Sequence, residues 1–239
     1  DRPSGWVNDE PGRQIAFLGD FIDRGPDNAG VLHTVRSLMD AGKARAVMGN
    51  HELNALHFHT LHPETGAPLR PHSDKNIRQH RSFLEEFPLE ARETRDVLAW
   101  MATLPLFLET ERFRAVHACW DEAVIDALAA ETIDGVLSEA QVTEAAEKGR
   151  PLHELVETTA KGPEIALPAG HRFHDKEGTR RDKIRLKWWP AAAKDSWADI
   201  AISVPDPDEL PKTPVPSDVA ARAYPSDAKP VFFGHYWLD

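Results

Sequence analysis

Only one cysteine, Cys119, occurs in the 239 residues, which excludes an internal disulfide framework and fits a reducing compartment. Long apolar runs are also missing. Nothing approaches the ~18 consecutive apolar residues that span a bilayer, and no signal-peptide pattern starts the sequence. The cytoplasm is therefore the default compartment, with no membrane partner expected. Positive charge is scarce: lysine and arginine number 28 against 39 acidic residues, a formal net charge of -11. That balance argues against unspecific nucleic-acid binding, which needs a basic face. Apolar content is plentiful at 41% of positions, enough to bury the core of one domain with insertions.

Two short segments hold the densest chemistry. Gly19-Asp20-Phe21-Ile22-Asp23-Arg24-Gly25-Pro26 follows the apolar run Gln14 to Leu18, and Gly49-Asn50-His51-Glu52 follows the run Ala44 to Met48. Each run reads as a strand ending at a glycine where the backbone turns sharply. Between them, Val31, Leu32, Val35, Leu38 and Met39 form a stripe at helical period over Asn28 to Ala41, with Asp27 or Asn28 as N-cap and Gly42 as the stop. A strand-helix-strand unit makes parallel strands, and ligands gather at the carboxyl ends of such strands, where Asp20 and Asn50 sit.

Together with Val116-His117-Ala118 and Gly234-His235, these segments resemble the motif series of the calcineurin-like metallophosphoesterases. The nearest branch holds phosphoprotein Ser/Thr phosphatases and bacterial symmetrical diadenosine tetraphosphatases. The family series is D-x-H, G-D-x-x-D-R-G, G-N-H-[DE], V-H-[AG] and a late G-H. The second and third motifs are intact, and the series runs in order from Gly19 to His235. The opening D-x-H has no counterpart: residues 1–19 contain no histidine, and in the family that motif supplies ligands to the first of two metals. Both ends of the chain are therefore expected to be truncated, the rival expectation being loss of the first metal and of activity. The resemblance implies a single α/β domain over 1–239, a metallophosphoesterase-like sandwich of two mixed β-sheets flanked by helices, with inserts at about 57–80 and 120–230.

The activity that the resemblance implies is metal-dependent phosphoric ester hydrolysis. A pair of divalent ions about 3.5 to 4 Å apart neutralises phosphoryl oxygens and provides a metal-bound hydroxide that attacks phosphorus directly. The implied metal ligands are Asp20 as the bridge, the Asn50 amide oxygen, and the imidazoles of His117 and His235. Such mixed oxygen and nitrogen ligation suits Mn, Fe, Zn or Co, with Mn favoured. Arg24, a forked and permanently charged group, would hold phosphate together with Asn50 and His51. His51 would also protonate the leaving oxygen, with Asp23 orienting and charging it, so that His51, Asp23 and Arg24 form the catalytic set. Three substrate readings stay open. The first is a phosphomonoester, including a phosphoprotein; the second is a symmetrical dinucleoside polyphosphate; the third is a non-catalytic module that binds phosphate or protein.

The remaining residues carry blander expectations. His57 to His72, with three prolines, reads as an insertion loop, and its His57, His59 and His62 read as solvated rather than as a third metal site. Helices are expected at about Ser73 to Phe87, Glu90 to Met101, Ala123 to Ala130, Ser138 to Lys148 and Leu152 to Lys161. A hairpin of Leu106 to Glu109 with Phe113 to Val116 would deliver His117. Gly162 to Pro230 is proline-rich and polar, with one strand expected at Lys183 to Trp188, and Val231 to Phe233 reads as a short buried strand. Glu52 is expected to cap a helix and Cys119 to be an inert buried thiol. Trp188, Trp189 and Trp237 are expected to pack rather than line a substrate mouth. The basic stretch Arg172, Arg180, Arg181, Lys183, Arg185 and Lys187 reads as the wet face of a strand rather than a phosphate site.

Overall fold

The computed structural model describes residues 12–176, 178–189, 195–220 and 223–236. It opens on β1 (Ile15–Phe17), α1 (Asn28–Asp40) and β2 (Ala44–Ala46), in which β1 and β2 pair in parallel with Ile15 opposite Ala44. Helix α1 starts where the Asp27 side chain accepts the Gly30 N–H at 2.8 Å, and it ends at Ala41 and Gly42. Gly42 has φ +67°, a left-handed turn that glycine enters without steric cost. Leu32 and Val35 face inward from α1, while Val31 is 43% exposed.

Helix α2 (Asn50–His59) follows β2 directly, then α3 (Asp74–Gln79), α4 (Arg81–Glu86) and α5 (Arg92–Met101). Strands β3 (Phe107–Glu109) and β4 (Arg114–Val116) form the expected antiparallel hairpin. Helices α6 (Glu122–Glu131), α7 (Glu139–Ala146) and α8 (Pro151–Lys161) come next, the last entered through a proline in its first turn. Strands β5 (Glu164–Ala166), β6 (Phe173–His174), β7 (Arg180–Arg181) and β8 (Lys183–Leu186) then precede α9 (Trp197–Ile200), β9 (Ala201–Ile202), α10 (Ser217–Ala220) and β10 (Val231–Phe232). Strand β10 returns to pair in parallel with β4, which gives the mixed sheet β10-β4-β3.

The main core lies among α1, α2, α4, α5, α7, α8 and the strands, with Ile22, Met48, Leu53, Phe83, Met101, Leu106 and Val156 each at most 1% exposed. Burying a side chain of this size contributes about 2 kcal/mol. A separate cluster, including Ile184, Leu186, Trp197 and Ile200, holds the antiparallel sheet β5-β8-β9 together.

Several expectations are corrected. His57 and His59 belong to α2 rather than to a loop, because Leu53, Ala55, Leu56 and Phe58 give that segment an inward face. The helix expected over Ser73 to Phe87 is interrupted at His80 (φ -106°, ψ 9°), which divides α3 from α4. Gly162 to Pro230 holds a sheet and a core of its own, in which β8 is the only described strand longer than three residues and the others are too short to show alternation. Strand β10 is only partly buried: Val231 packs against the cluster of Trp120 and Trp188, while Phe232 is 55% exposed and meets the edge of Phe113. No described helix is long and apolar enough to cross a membrane.

Candidate metal centre

Four strand ends converge. Asp20 follows β1, Asn50 follows β2, His117 follows β4 and His235 follows β10; β1 runs parallel to β2, and β4 runs parallel to β10. The first two turns are pressed so closely together that each excludes a side chain. A Cβ on Gly19 would lie 2.4 Å from the Gly49 nitrogen, and one on Gly49 would lie 2.5 Å from the Asp20 nitrogen. Glu52 then ties both turns down, accepting the N–H groups of Asp20 at 2.8 Å, Phe21 at 2.7 Å and Gly49 at 2.9 Å. Burial, and after it the Asp20 charge, push the Glu52 carboxyl up to about 7, against the pull of those three hydrogen bonds. Glu52 is thus a staple of the helix start, as its place in the sequence suggests.

Donor atoms of Asp20, His117 and His235 all lie within 4.8 Å of one another. His117 Nδ1 donates to the Leu18 carbonyl, and burial lowers the pKa of this ring, so it is neutral and its Nε2 carries a lone pair. That lone pair faces Asn50 Oδ1 at 3.1 Å and Asp20 Oδ1 at 3.3 Å. Three acceptors face one another with no proton of their own to share, an arrangement that a cation relieves. Fixing the ring through its other nitrogen is also how metal-ligating histidines are held. His235 Nδ1 lies 2.8 Å from the same Asn50 oxygen, and its pKa is lowered to about 3 by burial, then by His117 and Arg185. The residues present therefore fit a divalent cation, with two imidazoles, a carboxylate and an amide oxygen as donors.

Beside this cluster, His51 Nδ1 lies 2.8 Å from Asp23 Oδ2, and His80 Nδ1 lies 2.8 Å from Asp23 Oδ1. Burial favours protonation of Asp23, but the hydrogen bonds from His51 and His80 outweigh it and hold the carboxyl below its ordinary pKa. Both imidazoles therefore donate from Nδ1, and Nε2 is the free nitrogen of His51. Arg24 is exposed next to Asp23 and makes no hydrogen bond or ion pair among the described residues. The structure thus brings Asp20, Asn50, His117 and His235 into one cluster and pairs His51 with Asp23, while Arg24 stands at the rim.

Two neighbours were not legible as site residues. His80 belongs to no motif and lies in the ordinary helix-forming stretch Arg78-Gln79-His80-Arg81, so the sequence carries no sign of its contact. Arg185 alternates with Lys183 as a strand face should, yet its Nη1 lies 3.2 Å from His235 Nε2 and its Nη2 3.2 Å from Glu164. Trp188 and Trp189 pack edge to face with each other and lie tilted against Phe233, and Trp188 donates to the Ala118 carbonyl at 2.9 Å. Trp237 lies outside the described residues. Cys119 is buried, and that burial, followed by the Asp121 charge, raises its thiol pKa out of the reactive range. His57 Nε2 donates to the Val142 carbonyl at 3.0 Å, and His62 lies 3.4 Å from Glu147, so neither is part of a metal cluster.

A family model for calcineurin-like phosphoesterases matches residues 7–236. The symmetrical bis(5'-nucleosyl)-tetraphosphatase of Ralstonia nicotianae is 48% identical over 104 residues, 44% of this chain and 32% of that protein. The asymmetrical bis(5'-nucleosyl)-tetraphosphatase PrpE of Anoxybacillus flavithermus is 50% identical over 50 residues, 19% of this chain and 20% of that protein. The chain thus spans a third or less of the length of these two relatives. It aligns along 95% of its own length, at 28% identity, with 74% of the symmetrical enzyme of Chromohalobacter salexigens. With the match to the family model extending from residue 7 to residue 236, the chain belongs to the calcineurin-like phosphoesterase family.

Proposed function

We propose that this protein hydrolyses a phosphoanhydride of a dinucleoside polyphosphate in a metal-dependent reaction. The observation that carries the hydrolytic part is the convergence of unprotonated donors from Asp20, Asn50 and His117, with His235 beside them and the His51–Asp23 pair at their edge. The substrate class rests on the relatives, several of which are named symmetrical tetraphosphatases. The sequence alone leaves a phosphomonoester open beside it; the names of the relatives favour the dinucleotide.

Asp20, Asn50, His117 and His235 would hold the cation, and Asp20, with a second carboxylate oxygen to offer, would bridge to a second one. A divalent pair supplies Lewis-acid neutralisation of phosphoryl oxygens and a nucleophilic water near neutral pH. Arg24 binds a phosphoryl oxygen through its forked donors, and the Asn50 amide N–H group and His51 complete that contact. His51 gives its Nε2 proton to the leaving oxygen, and the Asp23 carboxylate on Nδ1 stabilises the ring while it is charged. Arg185 is a second phosphate contact. With His235 Nδ1 serving as a cation donor, the ring proton would sit on Nε2, which would no longer accept from Arg185 Nη1 and would leave that arm of the guanidinium for an anion.

The test is product analysis on diadenosine tetraphosphate with Mn²⁺. Two molecules of ADP support the symmetrical reading. One ATP with one AMP moves the proposal to asymmetrical cleavage, and release of phosphate from monoesters with the dinucleotide left intact contradicts it.

A further inference from the structure

We propose that His80 is a positioning residue for this hydrolysis: its Nδ1–H fixes the Asp23 carboxylate that aims His51. The inference rests on the reading of His51 as the proton donor and adds a residue that no motif contains.

The geometry is closed on every side. Asp23 is 3% exposed in its side chain, and each of its oxygens accepts one imidazole N–H at 2.8 Å, from His51 on Oδ2 and His80 on Oδ1. A carboxylate held by one partner can rotate about its last bond and present either oxygen; held by two, it cannot. The His80 ring is itself immobilised. It is 1% exposed, stacks on Phe83 at 4.8 Å and 20°, and meets Phe58 at 5.1 Å. Its Nε2 lies 3.2 Å from His59 Nε2, so both nitrogens have partners. Burial, and then the neighbours His80 and His72, lower the pKa of His59 to about 4, so it is a neutral partner.

The backbone points the same way. Helices α3 and α4 are separated by a single residue, His80, whose φ of -106° and ψ of 9° lie in the sparsely occupied bridge region. The interruption coincides with the one residue of this segment that contacts Asp23. Asp23 has φ +72°, so two unusual backbone conformations meet across this hydrogen bond.

The experiment compares 4-nitrophenyl phosphate, with a good leaving group, and phenyl phosphate, with a poor one, in the Mn²⁺-loaded protein and its His51→Asn, His80→Asn and His80→Gln variants. An asparagine amide N–H group overlays His Nδ1, whereas a glutamine amide overlays Nε2. The expectation is that His80→Gln lowers kcat on phenyl phosphate roughly tenfold or more, with much smaller loss on the nitrophenyl ester and little change in KM, and that His80→Asn recovers most of it. Equal losses on both esters, or equal behaviour of the asparagine and glutamine variants, would overturn the role of His80. If His51→Asn also loses equally on both esters, the proton-donor reading itself falls. Proton NMR of the unsubstituted protein covers the case in which a His80 variant does not fold. Two slowly exchanging downfield imidazole N–H signals, both displaced by Asp23→Asn, are expected, and a single such signal contradicts the proposal.

Discussion

Asp20, Asp23 and His235 share a property that their neighbours in the strands lack: φ values of +58°, +72° and +63°. Aspartate and histidine enter the left-handed region more readily than most residues, at a cost of about 1 kcal/mol each. Here the reversals at strand ends bring Asp20 and His235 into the donor cluster and set Asp23 beside it against His51 and His80. The glycines beside them allow the turns to touch. Gly49→Ala would place a Cβ 2.7 Å from Asp20 Oδ1, so metal affinity should fall roughly ten- to a hundredfold, measurable by Mn²⁺ titration; unchanged affinity would contradict the close-packed turn. Arg24→Ala should behave differently. Its guanidinium touches no part of the cluster, so Mn²⁺ should bind normally while kcat/KM drops by on the order of 3 kcal/mol of transition-state stabilisation. Loss of metal from that variant would remove Arg24 from the phosphate-binding role.

At the scale of elements, the unit β1-α1-β2 was legible in the sequence because three independent signals agree: apolar runs ending at glycine, a helical stripe, and a cap at each helix end. The hairpin β3-β4 and helices α5 to α8 were legible for similar reasons, and the motif order sets Asp20, Asn50, His117 and His235 just past strand ends. The segment from Gly162 to Pro230 was not legible. Its two- and three-residue strands leave no period to read, and its core depends on Trp197, Ile184 and Leu186 meeting across long gaps in sequence. Helix α2 was misread past Leu56 because its buried histidines look polar; His57 satisfies itself on the Val142 carbonyl and His59 on His80. The break at His80 was equally hidden, since a helix interrupted for one side-chain contact has no compositional mark. The second core predicts a separable effect. Trp197 is 2% exposed, and Trp197→Ala should cost about 3–5 kcal/mol in urea unfolding. A cost under about 1 kcal/mol would mean that this layer is not packed as described.

For the whole molecule, buried neutral histidines contribute to the loss of stability in acid. The His57 pKa is lowered to about 4 by burial, then by the charge of Lys161; the Val142 carbonyl and Glu157 oppose this, and Arg70 adds to it. Its unfolded value is near 6.5, so above that pH both states are neutral and no stability is lost. As pH falls from about 6.5 toward 4, the unfolded chain takes up a proton that the folded ring refuses, and stability declines by up to about 3 kcal/mol. His57→Gln keeps a donor for Val142 without titrating, so its unfolding midpoint should depend less steeply on pH between 7 and 5; an identical slope would contradict this assignment. The most direct test of the account concerns the metal. Hydrolysis by the Mn²⁺-loaded protein should disappear in excess chelator and return when Mn²⁺ is restored, since the proposed role of Asp20, Asn50, His117 and His235 is to hold a cation. Full activity retained in excess chelator would contradict it.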